Sequence, residues 1–348
     1  MTIFLKIKNS LDNKLPFVVY RKPNSTTLNG WFQNNDKLHT SKNYTESGFI
    51  FAPFDDKNIA VLLPEEDTFF LQEKFDIPNP ITKKNNIATD YLSEKEHIKL
   101  VKKGIKAIKD GLFKKVILSR KEKVVLKDFN TINVFKKLLT NYSTAFTYIW
   151  FHPKVGMWLG ATPETLVKIT DNSFETMALA GTQVFKGTTN VTWQSKEIEE
   201  QQFVTDYITD KLSEICNQLE KSNLKTVKAG NLLHLRTFIS GKITTKNSTL
   251  IKKLHPTPAV CGLPLEESKA FIIKNETYNR SYYAGFLGEL NLKEATNKTS
   301  ELFVNLRCME IKNNTAFVYV GGGITKDSDA KNEWLETVAK TTTMKKVL

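Results

Sequence analysis

Arginine is scarce in this chain. Of its 50 basic residues only Arg21, Arg120, Arg236, Arg280 and Arg307 are arginine, so the net charge of +13 is almost all lysine. The lysines occur in runs no longer than two, which favours general solubility over a nucleic-acid or membrane-surface patch. Each arginine is therefore a candidate for a fixed bidentate or packing role that lysine fills poorly. Cysteine is scarce too. Cys216, Cys261 and Cys308 fit neither zinc spacing nor a disulfide framework, and their apolar surroundings predict buried thiols in a reducing compartment. No apolar run approaches the ~18 residues of a membrane span, and the opening MTIFLKIKNSLDNKL is too polar for a secretory signal. Nucleotide-binding glycine loops, internal repeats and low-complexity linkers are missing as well. The expectation is a cytoplasmic, soluble globule, since 348 residues with 40% hydrophobic content bury a core easily.

What is present reads as strands interleaved with a few helices. Residues 1–87 alternate short apolar runs with turn residues, as strands and hairpins do. Ser93 and Glu96 form a capping box for a helix striped by Ile98, Val101, Ile105 and Ile108. A strand follows at 114–126, on which Lys114 and Lys115 point to opposite faces, so one of them turns inward if either face is covered. Beyond a helix near 131–141, strands are expected at 144–151, 157–169 and 174–182. Glu164, after Thr162-Pro163, interrupts them as a turn carboxylate, and the small residues Ala178 to Thr182 let backbone approach a ligand. A long helix over 194–220 carries Glu197 and Glu200 on its apolar stripe with Phe203, Val204, Tyr207 and Ile208. Carboxylates facing a core need a proton, a cation or a metal, although fraying at the helix start excuses one of them. Residues 232–243 read as a strand holding His234, 254–264 as a Pro-punctuated loop, and 278–290 as a tyrosine-rich strand with a glycine kink.

The most organised stretch is the last. Strand patterns at 303–311 and 316–320 meet a triple glycine at 321–323, expected as a turn, and Asp/Ser residues then open a helix to about 346. Alternation places Arg307 beside Phe303, Asn305 and Met309, and a helical wheel puts Glu333, Glu336 and Lys340 within about 60° of one another. Two readings fit this pattern. One is an exposed helix face with an i, i+4 ion pair; the other is a site where glycine amides, Arg307 and Lys340 hold carboxylates and glutamates hold a hard cation.

Nine segments, taken together, resemble one family. KVILSR (115–120), GATPE (160–164), LAGT (179–182), KEIEEQQFV (196–204), LLHLRT (232–237), LHPTPAVCG (254–262), RSYYAG (280–285), NLRCMEI (305–311) and GGGIT with EWLETVAKTTTM (321–344) are similar in order to the chorismate-binding enzymes, isochorismate synthases in particular. The likeness covers roughly 90–348, and residues 1–90 match less well. It implies a single large α+β domain over 1–348, with mostly antiparallel sheets flanked by helices and a bound Mg²⁺. Glu200 and Glu336 would ligate the metal, with Glu197 and Glu333 completing an acidic shell through water. Magnesium suits such oxygen donors. Chorismate would be the substrate, its ring carboxylate on the metal and its other carboxylate on Arg307 and Tyr283, near Gly321 and Lys340. Gly181, Thr182, His234 and Ala259 would line the site.

The implied chemistry is hydroxyl exchange. Lys115 would be the general base for a water attacking C2, and Glu164 the general acid for the departing C4 hydroxyl. A lysine base must be neutral and a glutamic acid protonated near pH 7, as a closed, desolvated site favours. Anthranilate synthases carry glutamine where this chain has Lys115, and aminodeoxychorismate synthases have a lysine nucleophile where it has Ala180. Salicylate synthases share Lys115 and Glu164 but tend to have threonine at Ala259, which makes salicylate synthase the alternative. Gln201 stands where relatives often have histidine, and VGGG is richer in glycine than usual. The products of such enzymes feed menaquinone or siderophore synthesis. No glutamine amidotransferase subunit, nucleic acid or membrane partner is expected, and the chain is expected to be a monomer.

Overall fold

Every residue of the strand Phe17–Arg21 is buried because alternate side chains enter two different cores. In the computed structural model, which describes residues 2–76, 91–127, 129–230 and 232–348, Val18 and Tyr20 join a core between two sheets, with Phe51, Trp150, Trp158 and Phe303. Rings from the two sheets meet there, Tyr20 against Phe49 at 5.1 Å and Phe146 against Phe303 at 4.1 Å. Phe17 and Val19 face the other way, onto the helices Ile3–Asp12 and Thr131–Asn141 with Phe135, Leu138, Ile149 and Met344.

Among the described residues the two sheets have nine and ten strands, and every pairing given is antiparallel. The first sheet includes Lys115–Val125, Thr315–Ile324, Cys308–Lys312, Gly156–Thr162 and Phe146–His152 in that order, and continues through Phe17–Arg21. The second includes Leu232–Ile243, Ser173–Val184, Thr165–Thr170, Asn297–Val304, Phe286–Glu294 and Gly48–Ala52. Residues before position 90 thus supply strands to both sheets and belong to one α+β domain.

Two of the places where the chain crosses between sheets lie side by side. Gly156–Thr162 lies in the first sheet and Thr165–Thr170 in the second, so Pro163-Glu164 is a crossing. Asn297–Val304 and Cys308–Lys312 make the return crossing at Asn305–Arg307. The two are laced together by backbone bonds from Val304 N to Glu164 O (3.0 Å) and Ala161 N to Arg307 O (3.0 Å). Thr162 Oγ1 adds a bond to Val304 O (2.6 Å).

Several expectations are corrected. The strand expected over 303–311 is broken at 305–307, where Arg307 takes φ 47°, because its halves pair in different sheets. Residues 278–285 form turns, and the strand begins at Phe286. The helix expected to 220 ends at Ser213, because Cys216–Lys221 pairs as a strand with Leu232–Ile243. The triple glycine is not a turn but lies inside the strand Thr315–Ile324, opposite Ile117 to Ser119. The first element is a helix, Ile3–Asp12, and the helix Tyr91–Lys109 begins before Ser93, which falls in its first turn rather than at its cap. The expected strands at 77–87 lie outside the described residues.

Candidate active site

Lys115 opens the strand Lys115–Val125 and turns inward, fully buried, while Lys114 is exposed. Its carbonyl accepts from Ser268 Oγ at 3.0 Å, and Leu263 pairs with it at the sheet edge. The Nζ lies 3.0 Å from Glu200 Oε1, close enough for an ion pair although the angle does not make a good hydrogen bond. Glu200 projects from the helix Ser195–Ser213. Burial pushes its carboxyl up, but Lys115 first, then Lys340 and Lys196, outweigh that and hold it below the usual carboxylate range.

The glycines inside the strand explain how this pair fits. A Cβ at Gly323 would run into Glu200 Oε1 and reach Lys115 Cε at 3.3 Å; one at Gly322 would meet Glu333 Oε2 at 3.4 Å and Glu336 Oε1 at 3.8 Å. Two bare positions on a strand, Gly322 and Gly323, therefore make room for carboxylates from two helices. Asp329 caps the second of these, Ala330–Lys345, by accepting from Lys331 N and Asn332 N. Its Lys340 reaches Gly321 O at 3.1 Å and Glu336 Oε1 at 2.5 Å. Lys196 pairs with Glu333 at 2.8 Å. Burial, and next the charge of Glu336, push the Glu333 carboxyl up against the pull of Lys196.

Across the cleft the two sheet crossings deliver Glu164 and Arg307. Glu164 is 4% exposed, and burial pushes its carboxyl up to about 8 even though Lys115 and Arg307 pull it down. It is a carboxylic acid at neutral pH. Arg307 meets His234 Nε2 at 3.5 Å. His234 Nδ1–H donates to Gly181 O at 2.8 Å, which leaves Nε2 as the acceptor facing Arg307. Burial, followed by Arg307 and Lys340, lowers this histidine to about 3, so it is neutral. Gly181 sits at φ 74°, where the pairing of its strand breaks between Ala180 and Gln183, so the bulge turns its carbonyl toward His234.

Glu164, Gly181, Thr182, Glu200, His234, Ala259, Tyr283, Arg307, Gly321, Glu336 and Lys340 all line one cleft. Lys115 and Glu333 lie just behind its wall, each in an ion pair there. Glu197 is not brought to it: its carboxylate accepts from Gln194 N at 3.1 Å in a capping box. Sequence reasoning missed Lys196 and Tyr319. Tyr319 stacks on Tyr283 at 5.5 Å, and its alternation with Gly321 along the strand was the available signal. Gln201 is buried and donates to Thr205 and Thr237, so this helix buries polar groups as well as its apolar stripe.

The donor set suits a hard cation. Glu200, Glu333 and Glu336 are oxygen donors crowded over two glycines, and Glu336 disfavours ionisation of Glu333, as like charges do where a cation belongs. Among the described residues no three such side chains already form a metal cage, and each of these glutamates faces a lysine instead.

Known proteins resemble this chain in sequence and in fold. The chain is 28% identical over 247 residues to the chloroplastic isochorismate synthase of Catharanthus roseus, covering 67% of this chain and 42% of that one. It is 27% identical over 251 residues to isochorismate synthase MenF of Haemophilus influenzae, covering 69% and 57%. The match spans about half the length of these curated relatives. Among solved structures, DhbC from Bacillus anthracis superposes with TM-score 0.81 at 22% identity over 99% of both chains. The menaquinone-specific isochorismate synthase MenF from Escherichia coli gives 0.77 at 21% over 96% and 88%. Among the described residues no helix is long and apolar enough to cross a membrane. A profile of the chorismate binding enzymes matches residues 49–348, and with that extent of agreement the chain belongs to the chorismate-binding enzyme family.

Proposed function

We propose that this chain is an isochorismate synthase, converting chorismate to isochorismate by adding water at C2 as the C4 hydroxyl leaves. The observation that carries this reading is Glu164, a buried carboxyl that keeps its proton to about pH 8, in a cleft with Arg307 and with Lys115 just behind the wall. Glu164 protonates the departing hydroxyl, and Lys115 takes the proton of the attacking water, so one water enters and one leaves. Arg307, with Tyr283, holds the side-chain carboxylate, while neutral His234 orients Arg307 through Nε2. Magnesium would be held by Glu200 and Glu336, with Glu333 behind them, and when bound would fix and neutralise the ring carboxylate.

Purified protein is given chorismate and Mg²⁺ and its products are separated by chromatography, beside Lys115→Gln and Glu164→Gln. Isochorismate alone, lost in both variants, supports the assignment. Salicylate with pyruvate moves it to salicylate synthase. No turnover by the folded wild type overturns it.

A further inference from the structure

A second pocket of about 170 Å³ adjoins the cleft and shares Pro163, Leu179 and Arg307 with it. Its lining includes the exposed Asn24 and Lys228 and the half-buried Arg236 and Arg307. His234 and Arg236 are alternate residues of the strand Leu232–Ile243, so they share a face: His234 serves the cleft and Arg236 the neighbouring pocket. Leu179 pairs with Arg236 across the sheet and lines both spaces.

The lining contains three cations, Lys228, Arg236 and Arg307, and no carboxylate. Arg236 stacks its guanidinium on Phe238 at 4.3 Å, which leaves its N–H fork unused among the described residues; the acid it feels is Glu175, farther along the adjacent strand. Arg307 likewise has no carboxylate within ion-pair distance among the described residues, and its contact with His234 is 3.5 Å long. Two half-buried arginines and an exposed lysine in a lining without acid suit a carboxylate, and Arg307 is shared with the cleft.

We propose that the pocket is a carboxylate staging subsite: Arg236 draws in a carboxylate of the incoming dianionic substrate and passes it to Arg307. The assignment of a dicarboxylate substrate rests on the proposed activity; the affinity of the pocket for a small carboxylate does not.

The test compares full-length wild type, Arg236→Gln and Arg236→Lys. Steady-state turnover of chorismate is measured across ionic strength, and pyruvate binding is measured by ligand-observed NMR. Arg236→Gln is expected to keep kcat within about twofold and to lose roughly tenfold in kcat/KM at low salt, with a flatter salt dependence and weaker pyruvate binding. Arg236→Lys should recover part of the salt dependence. Unchanged kcat/KM and salt slope in Arg236→Gln overturn the proposal, as does a fall in kcat that matches the fall in kcat/KM. If wild type does not turn over chorismate, the activity reading fails. Pyruvate binding that disappears in Arg236→Gln then still supports the subsite, and pyruvate binding absent from wild type overturns it.

Discussion

Two regions of this protein bury carboxylates, and they treat them in opposite ways. Farther along the strand Lys115–Val125, Glu276 takes two bonds from Arg280, at 2.8 and 2.6 Å, and two more from Ser119 N and Oγ, both 2.8 Å. Arg280 spends its other N–H groups on Val260 O and Ile117 O. On the cleft side Glu164 is equally buried, yet its carboxyl oxygens have no hydrogen-bond donor among the described residues, and it keeps its proton to about pH 8 instead. The first arrangement is a knot that fixes the loop carrying Ala259 and Val260 to the sheet. The second is a group left without a donor, as the proposed proton donor requires. Satisfaction of hydrogen bonds, rather than burial alone, separates the structural charge from the chemical one.

That contrast can be broken from either side. Glu164→Gln removes the proton donor and should cost about 10²–10⁴-fold in kcat, while differential scanning fluorimetry shows an undiminished melting temperature. Arg280→Gln leaves Glu276 buried and unpaired, and should cost roughly 3–5 kcal/mol in denaturant unfolding. A result in which Glu164→Gln unfolds the protein and Arg280→Gln only slows it would invert the assignment.

Gly323→Ala tests the room made for Glu200. The added methyl displaces a flexible carboxylate rather than backbone, so stability should change by less than about 1 kcal/mol. If Glu200 holds magnesium as proposed, the magnesium concentration for half-maximal activity rises severalfold.

The smallest effect is in pH. Because the folded protein holds the Glu164 proton to about 8, turnover should decline as pH rises through that value. The stability sign follows the same shift. The unfolded chain releases this proton near pH ~4.3, so the contribution of Glu164 is fully present below that pH and is lost as pH rises to about 8. Glu164→Gln should abolish this slope in urea titrations at pH 5 and 8.

Local pattern was enough to read the strand carrying Lys115, the strand carrying His234 and the capped helix carrying Glu336, since each has one covered face and a clean period. Alternation showed that Lys114 and Lys115 face opposite ways; that Lys115 is the inward one came from the resemblance and is seen in its burial. Periodicity could not show that 303–311 divides between sheets, because both halves alternate and only pairing separates them. Nor could it place three glycines inside a strand: at Gly322 and Gly323 what matters is the absence of a Cβ beside carboxylates from distant helices. The metal-side lysines were half visible. Lys340 was found by its i, i+4 partner, whereas Lys196 pairs across 137 positions of sequence and leaves no local trace.

The twin crossings at Pro163-Glu164 and Asn305–Arg307 also bear on how the protein acquires activity. Each crossing has one foot in either sheet, so the proton donor and the anion grip take position only after the two layers have docked. Those layers recruit strands from Phe17–Arg21 to Thr315–Ile324, and such distant pairings form slowly. Catalytic competence should therefore emerge late in refolding, after secondary structure has recovered. A chain with misaligned sheets would be inert rather than promiscuous, because the grip and the acid would be lost together.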